Sequence, residues 1–296
     1  VPIAPGVTPG SGPAHLSLFG YDPLEFVIGR GPLEAAGIGF EMTARDVAAR
    51  GNFCAVDANG NVTDRRAGRI GDDEGKRLCG ILSQIKIDGV EVFARPVKEH
   101  RWALILRGDG LSGDLSETDL GLINRPALPV HATADTPQAQ RTAAIVNEFI
   151  AQARRLLANE HPANMVLLRG FAPQPNFPTF EEVYGLRAAA VAAYPMYRGL
   201  ARLVGMTPLE TGPSIADEFQ TVAQHWNDFE FFYVHIKKTD TMGEDGNFEG
   251  KVHVIEEVDA ALPMLTALQP DVLIVTGDHS TPAALKSHSW HPVPTL

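Results

Sequence analysis

The chain has 296 residues, enough to bury one large or two ordinary hydrophobic cores. Hydrophobic residues make up 44% and charged residues 21%, as in globular proteins. The formal net charge of -11 argues against general nucleic-acid binding, which needs basic faces. No apolar run reaches the roughly 18 residues that span a membrane, and the start lacks the basic and apolar blocks of a signal peptide, so we expect neither feature.

Cysteine usage points to a reducing compartment. Cys54 and Cys79 are the two cysteines, each lies beside apolar residues, and neither belongs to a CxxC pair. A single disulfide between two cysteines could not hold together a chain of this size, so we interpret both as free thiols and expect a cytoplasmic protein.

The first part of the chain predicts loops followed by a small α+β region. Residues 1–31 are rich in glycine and proline and predict loops around one short helix at 14–18. A ligand-facing loop at the start of a chain is unusual and suggests that an element precedes it. The following segments predict strand pieces within 46–70, a helix at 73–84, strands at 90–94, 102–106 and 165–168, a glycine-rich loop at 107–119, and a helix at 136–159.

The sequence pattern changes from about residue 176. Alanine-rich residues 181–204 predict a helix interrupted by Pro195, and residues 246–268 predict a second helix. The nearly continuous apolar runs 229–236 and 272–275 predict buried strands. Apolar strands that alternate with helices indicate a parallel sheet covered on both faces, which is an α/β fold.

Acidic and imidazole side chains follow the last two predicted strands. Asp240 and Glu244 come after the first strand, Asp278 and His279 come after the second, and His288 and His291 follow about ten residues further on. Ligands bind at the carboxyl ends of strands in open α/β sheets, so these side chains should face one crevice. Carboxylates mixed with imidazoles suit Zn, Mn or a similar metal better than Ca, and up to six ligands would suit two ions. Any one of these residues alone could instead be a solvated or capping group.

The remaining histidines carry less information. His291, taken alone, is more typical of a supporting or structural residue, and His235 is expected to be a hydrogen-bonded core or pocket-edge residue within a strand. We interpret five further histidines, which have no matching neighbours, as structural: His100, His131, His161, His225 and His253.

Ser11 is the candidate nucleophile for a phosphoryl transfer. It lies in PGSGPAH, a glycine-flanked loop that opens a helix, where backbone N–H groups and the helix dipole favour an anion. Binding to a metal would lower the pKa of its hydroxyl and orient the oxygen. The alternative is a serine that caps the helix N-terminus.

Long motifs resemble one known family along nearly the whole chain. They are GSGPAHLSLFGYDP, GRGPLEA, RGNF with DRRAGRI, YGLRAAAVAAYPMYRGLARLVGM, VHIKKTDTMGEDG and TGDHSTPAALKSHSWHPVP. These motifs resemble the archaeal-type cofactor-independent phosphoglycerate mutases. The resemblance implies an alkaline-phosphatase-like parallel-sheet core at 1–31 and 176–296, with a smaller α+β substrate-binding domain inserted at 32–175. It also implies interconversion of 3-phosphoglycerate and 2-phosphoglycerate, a small phosphorylated three-carbon acid, through a phosphoserine.

The resemblance also implies a role for each candidate residue. Ser11 would be the nucleophile and, with Asp278 and His279, would hold one divalent ion, either Mn, Co, Zn or Mg. The second ion would be held by Asp240, Glu244 and His288, and no 2,3-bisphosphoglycerate would be needed. Substrate-binding groups implied by position are Arg50, Asn52 and Arg169, followed by Arg66, Arg69, Arg198 and Lys238. Arginine suits this task because its planar fork meets phosphate and carboxylate with two hydrogen bonds.

Two departures from the family pattern leave alternatives open. Relatives begin with a strand that carries an Asp-Gly pair, whose Asp is a metal ligand, and this chain starts after that point. Many relatives also have His where this chain has Glu244, a change that still permits metal binding and favours harder ions such as Mn or Mg. The alternatives are a metal-dependent phosphatase or phosphonate hydrolase with the same core, or a truncated chain that does not turn over. The sequence leaves the metal and the oligomeric state open.

Overall fold

The computed structural model describes residues 10–26 and 28–296. The chain divides into two compact units, which we call unit 1 (Val1–Val27 with Asn176–Leu296) and unit 2 (Ile28–Pro175). No helix in the described part of the chain combines the length and the apolar character needed to cross a membrane.

The helices and strands follow one another in a mixed α/β order. In chain order they are α1 (Ser11–Leu18), α2 (Arg30–Gly37), β1 (Asp46–Val56), β2 (Val62–Asp64), a 3-10 turn (Ala67–Arg69), α3 (Asp72–Leu82), β3 (Glu91–Lys98), β4 (Arg101–Arg107), α4 (Pro137–Leu156), β5 (Met165–Pro173), α5 (Phe180–Tyr184), β6 (Ala188–Ala192), α6 (Pro195–Leu203), β7 (Thr207–Leu209), α7 (Ile215–Gln224), β8 (Phe231–His235), α8 (Lys238–Glu244), α9 (Phe248–Ala261) and α10 (Pro263–Thr266).

Unit 2 is built on an antiparallel sheet with β1 near its centre. The strand order is β2-β1-β4-β3, and β5 also pairs with β1. One face of the sheet packs into a large apolar core, in which Trp102 is fully buried and stacks on Phe53 with ring centroids 5.6 Å apart. Gly51 lies opposite Trp102 on β1, and a Cβ at this position would overlap the indole ring. The lack of a side chain at Gly51 therefore lets the largest core residue lie flat on the sheet.

The other face of this sheet carries a polar band. Side chains alternate between the two faces of a strand, so Arg50 and Asn52 lie on the face opposite Phe53. On this polar face, Ala48 belongs to an apolar cluster on one side of the two residues, and Cys54 belongs to another cluster on the other side. The arginine and the asparagine thus occupy a break in an otherwise apolar surface.

Unit 1 is built on a parallel sheet with strand order β7-β6-β8. The central strand β6 is fully buried, and apolar side chains from α7, α9 and α10 pack with Val191 into one cluster. The ends of β6 and β8 coincide, because Ala192 pairs with His235. The loops that follow these two strands therefore begin at the same edge of the sheet.

Two predicted elements of unit 1 are wrong. Residues 181–204 do not form one helix, because Ala188–Ala192 is the central strand and lies between two short helices. Residues 272–275 do not form a buried strand, since Val272 is 74% exposed and Ile274 is 64% exposed. The apolar run has the local composition of a strand, but its backbone joins no sheet and exchanges hydrogen bonds with Leu296 at Val275.

Most other predicted elements are present with shifted ends. The helix expected at 136–159 is α4, and the strand expected at 229–236 is β8, which is half-buried rather than fully buried. The helix expected at 246–268 breaks at Leu262 into α9 and α10, because Pro263 cannot continue the backbone hydrogen bonds. Helices α2, α7 and α8 and strand β7 were not predicted.

Candidate active site

Ser11 is the first residue of α1, and its hydroxyl is not used to cap the helix. The N-cap is Gly10, which makes no side-chain capping bond, so the interpretation of Ser11 as a capping serine is wrong. The Ser11 Oγ atom lies 3.3 Å from Nε2 of His279, a residue near the other end of the chain. The serine hydroxyl is therefore directed at the predicted metal-binding segment of unit 1.

Asp278 has an oxygen that lacks a hydrogen-bond donor. Its Oδ2 atom lies 3.1 Å from His279 Nε2 and 3.4 Å from His15 Nδ1, yet within the described chain it accepts no hydrogen bond. The ring nitrogen of His15 is engaged instead with the backbone oxygen of Ser11, at 2.7 Å. A buried carboxylate oxygen without a donor is costly, and a bound cation would remove this cost.

Asp240 is held in its charged form by its neighbours. Burial alone would raise its pKa, but hydrogen bonds from His288, Lys237 and Thr281 outweigh it and hold the pKa far below the usual range of an aspartate. The Thr281 hydroxyl donates to Asp240 Oδ1 at 2.5 Å, and the Lys237 ammonium forms an ion pair with Oδ2. The carboxylate is therefore ionised, and its Oδ1 atom lies 3.5 Å from Nε2 of His288.

The two predicted ligand sets lie side by side. The rings of His279 and His288 stack with centroids 3.7 Å apart, and ligand atoms of Asp240, His279 and His288 all lie within 4.8 Å of one another. Glu244 Oε1 lies 3.7 Å from His288 Nε2. His279 faces both Ser11 and the Asp240 group, so the structure does not separate it into one set as the family resemblance implied.

The histidine that faces the Ser11 hydroxyl, His279, is kept neutral by its surroundings. Burial lowers the pKa of His279 below its usual value, although Asp278 acts in the opposite direction. A neutral imidazole offers a nitrogen lone pair, which is the form that binds metal ions. His291, by contrast, forms a hydrogen bond with Ser289 Oγ at 2.9 Å.

Unit 2 concentrates arginines on the polar face of its sheet. Arg50 and Arg169 lie opposite each other on β1 and β5, and Arg50 forms a buried ion pair with Glu34. Burial lowers the pKa of Arg169, and the positive charges of Arg30 and Arg50 lower it further. Like charges crowded in a low-dielectric setting repel, so this cluster would be stabilised by an anionic ligand.

Asn52 adds a polar group to this cluster. It is 8% exposed, and its Oδ1 atom has no hydrogen-bond partner among residues 10–26 and 28–296. Arg101 lies directly opposite Asn52 on β4. A carboxamide and a guanidinium that face each other across two strands can together bind the oxygens of a phosphate or carboxylate group.

The remaining predicted substrate residues have contacts of their own. Arg66 precedes the 3-10 turn Ala67–Arg69, and Arg69 ends it with a φ of 54°. The positive charges of both arginines lower the pKa of the buried His100 in the same unit. Lys238 is exposed beside a cavity of about 140 Å³. Arg198 forms an ion pair with Glu210. Arg101, which lies opposite Asn52, also acts on His100, so Arg66 and Arg69 share this neighbour with it.

Sequence reasoning missed several polar residues that the structure brings to these clusters. They include Lys237 and Thr281, which bond to Asp240, His15, which lies 3.4 Å from Asp278, and Arg30 and Arg101, which adjoin Arg50 and Asn52. Both members of the first pair lie inside the motifs that carry the resemblance. Arg101 could have been found from strand alternation, once β1 and β4 had been paired in the correct register.

Comparisons with known proteins identify the family of this chain. A model of the family described as 2,3-bisphosphoglycerate-independent phosphoglycerate mutase matches residues 1–164. The Thermotoga neapolitana protein named "Probable 2,3-bisphosphoglycerate-independent phosphoglycerate mutase" is 52% identical over 298 residues, which cover 100% of this chain and 74% of that protein. The protein of the same name from Aquifex aeolicus is 49% identical over 307 residues, covering 100% and 75%.

Solved structures show the same relationship. The cofactor-independent phosphoglycerate mutase from Thermoplasma acidophilum is similar with a TM-score of 0.64 and 29% identity, covering 89% of this chain and 73% of that chain. A solved protein from Pyrococcus horikoshii is similar with a TM-score of 0.78 and 26% identity, covering 100% and 74%. The chain therefore belongs to the family of 2,3-bisphosphoglycerate-independent phosphoglycerate mutases, isomerases that act on a small phosphorylated acid.

Proposed function

We propose that this chain interconverts 3-phosphoglycerate and 2-phosphoglycerate through a phosphoserine on Ser11. The observation that carries the proposal is the Ser11 hydroxyl, which performs no capping role and lies 3.3 Å from His279 beside the ionised Asp240. A serine in this setting is unusual as a structural residue and is well placed as a nucleophile.

The chemistry is a pair of phosphoryl transfers. Ser11 Oγ forms a bond to phosphorus while the bond from phosphorus to the substrate oxygen breaks, and the serine proton ends on the departing glycerate hydroxyl. The second glycerate hydroxyl then attacks the phosphoserine, and its proton returns to Ser11. Positioning and electrostatic stabilisation supply most of the rate in such transfers, because charge is spread over the phosphoryl oxygens.

The donor set fits divalent cations. Asp278 and His279, with Ser11, would hold one ion, and Asp240, Glu244 and His288 would hold the other, with His279 close to both. When bound, the ions would neutralise charge on the phosphoryl oxygens and lower the pKa of the Ser11 hydroxyl. The mixture of carboxylates and neutral imidazoles favours Mn, Co or Zn, and Mg is the harder alternative.

The proposal assigns substrate recognition to unit 2. Arg50, Asn52 and Arg169 would bind the anionic groups of phosphoglycerate, supported by the crowding of positive charge described above. Unit 1 would be the alkaline-phosphatase-like core and unit 2 the inserted domain. The buried free thiols of Cys54 and Cys79 are consistent with a cytoplasmic location, which we also propose.

Ser11→Ala tests the phosphoserine directly. We expect its mutase turnover to fall by at least about 1000-fold, as for other enzymes that lose a nucleophile. Ser17→Ala is the matched control, since Ser17 lies on the same helix and its hydroxyl bonds only to the backbone oxygen of Pro13 among the contacts that the structure describes. Acid quenching during turnover followed by mass spectrometry should find phosphate on Ser11 in the parent and in Ser17→Ala.

Two results would contradict the proposal. Normal turnover of Ser11→Ala would exclude the phosphoserine route. Phosphorylation of Ser11 that is followed by release of inorganic phosphate, without formation of the other phosphoglycerate isomer, would identify a hydrolase instead.

A further inference from the structure

The hydroxyl of Thr281 lies between one residue of each predicted ligand set. Its Oγ1 atom is 2.5 Å from Asp240 Oδ1 and 3.2 Å from His279 Nδ1. Thr281 is 2% exposed, so bulk water does not compete for either contact. One buried hydroxyl therefore connects two side chains that come from different parts of unit 1.

Two close contacts hold the backbone of Thr281 in this place. The Lys251 ammonium of α9 donates a hydrogen bond to its backbone oxygen at 2.9 Å. Gly243 lies three residues after Asp240 on α8, and a Cβ there would be 2.2 Å from the same backbone oxygen. Residues three apart lie on one side of a helix, so the lack of a side chain at Gly243 lets α8 bring Asp240 close to Thr281.

The direction of each hydrogen bond follows from the number of protons available. A hydroxyl donates one hydrogen bond and can accept others, whereas an ionised carboxylate only accepts. Asp240 is ionised, so the single hydroxyl proton of Thr281 is donated to it. The Thr281 oxygen must then accept from Nδ1 of His279, and this nitrogen carries a proton. In a neutral imidazole only one nitrogen is protonated, which leaves Nε2 with a lone pair.

The contacts on the other side of the His279 ring agree with this assignment. Its Nε2 atom lies 3.3 Å from Ser11 Oγ and 3.1 Å from Asp278 Oδ2. This Asp278 oxygen is buried and receives no hydrogen bond in the part of the chain that the structure describes, as expected if Nε2 has no proton to donate. A lone pair and a carboxylate oxygen at such a distance repel each other, and a cation between them would remove the repulsion.

We propose that Thr281 is a positioning residue that directs the Nε2 lone pair of His279 towards the cation site, by accepting from Nδ1 and donating to Asp240. The inference rests on the proposed function, because it assumes that His279 binds an ion there. Groups that fix the tautomer and orientation of a metal-binding histidine typically change metal affinity about 10- to 100-fold. Here one hydroxyl orients a residue of each ligand set, so its loss should disturb both.

Thr281→Val tests the inference, with Thr281→Ser as the conservative variant. Valine keeps the branched shape and removes the hydroxyl, whereas serine keeps the hydroxyl and removes a methyl group. The matched control is Thr221→Val, because Thr221 is 6% exposed in the same unit and its hydroxyl bonds to Thr211 and to the backbone oxygen of Asp217. The control thus deletes a buried threonine hydroxyl whose described partners are not proposed metal ligands.

The first measurement is the tautomer of His279 in the full chain after removal of metal. Long-range nitrogen–proton correlation spectra distinguish a protonated ring nitrogen from one with a lone pair, and His279→Gln identifies the signals of this ring. At about pH 8, where imidazoles are largely neutral, the parent, Thr281→Ser and Thr221→Val should carry the proton on Nδ1. Thr281→Val should lose this preference and show a mixture of the two tautomers.

The second measurement is Mn²⁺ binding to the same proteins by calorimetry. Affinity should fall about 10- to 100-fold in Thr281→Val and stay within about threefold of the parent in Thr281→Ser and Thr221→Val. Equal losses in the two valine variants would overturn the inference, since packing alone would then explain them. An unchanged tautomer in Thr281→Val would also overturn it.

The parental tautomer gives a test that needs no folded variant at Thr281. A proton on Nε2 of His279 in the parent would overturn the inference, whatever the variants do. These measurements use neither substrate nor turnover, so such a result leaves the phosphoserine route intact. If Ser11→Ala is instead fully active, the proposed function fails even where the tautomer is the expected one.

Discussion

Glu218 is an acid whose burial should make the stability of this protein depend on pH. It lies on α7, is 4% exposed, and accepts a hydrogen bond from the backbone N–H of Ala193 at 3.2 Å. Burial raises its pKa from 4.5 to about 7, although the Ala193 hydrogen bond and the positive charge of Lys238 act against this shift. The folded protein therefore retains a proton that the unfolded chain releases near pH 4.5.

The sign and the size of the effect follow from this difference. Between pH 4.5 and about 7 the folded state binds more protons than the unfolded state, so stability falls as pH rises and the full loss persists above pH 7. A shift of this size corresponds to a loss of about 3 kcal/mol. Glu218 lines the cavity of about 140 Å³ with Lys238, and water in it would reduce the loss, so this figure is an upper value.

Glu218→Gln removes the titration and keeps an acceptor for the Ala193 N–H. The variant should gain stability over the parent as pH rises, by up to about 3 kcal/mol between pH 5 and pH 8. Urea unfolding at a series of pH values measures the stability difference between the variant and the parent. Only its change with pH is compared, so a pH-independent difference caused by altered packing cancels. Glu256→Gln is the control, because it removes one negative charge from an exposed position of α9 and so reports the effect of net charge alone. A difference that stays within about 0.5 kcal/mol across the range would refute the reasoning.

Two further predictions concern packing and metal binding. Gly31→Ala should destabilise the protein by about 3 kcal/mol in urea unfolding, because a Cβ at this position of α2 would overlap the Ala48 carbonyl of β1. Gly80→Ala in α3 should instead stabilise the protein by about 0.5–1 kcal/mol, because a Cβ there has no atom within 4 Å. Equal effects of the two changes would contradict this packing. Removal of metal by chelation should abolish mutase activity, and added Mn²⁺ should restore it. In calorimetry, His288→Ala should weaken Mn²⁺ binding at least about tenfold, whereas His253→Ala, which changes an exposed histidine, should leave it unchanged. Unchanged Mn²⁺ affinity in His288→Ala would place the ion elsewhere.

Local patterns predicted the elements that depend on local physics. Helix α4 begins where Thr136 accepts a hydrogen bond from the Ala139 N–H and Pro137 occupies the first turn, and its buried residues repeat with helical spacing. The same rules fail at Ala188–Ala192, because alanine has the highest helix propensity of all residues. Here burial decides the outcome, since a strand that pairs on both edges and packs on both faces benefits from small side chains.

The sequence predicted which residues converge at the candidate site, but not the contacts that they make there. Asp240 and His279 were expected to converge because each follows an apolar run, and they do so even though the second run is not a strand. The reasoning from strand ends was therefore sound for Asp240, which follows β8. For His279 the motif itself was the reliable signal, since residues 272–275 supply no strand end from which to place it.

Tyr197 shows what a sequence of this kind cannot reveal. Its neighbours in the chain, within PMYRG, carry no chemical signal that marks the tyrosine as different from Tyr194. Its stacking on His235 exists because β6 and β8 pair in a particular parallel register and because α6 begins shortly after β6. A shift of one residue in that register would turn the side chains of β8 to the opposite face of the sheet and remove the His235 ring against which Tyr197 stacks. The aromatic cluster around His15, whose Nδ1 bonds to the backbone oxygen of Ser11, thus depends on a strand register set by burial in unit 1.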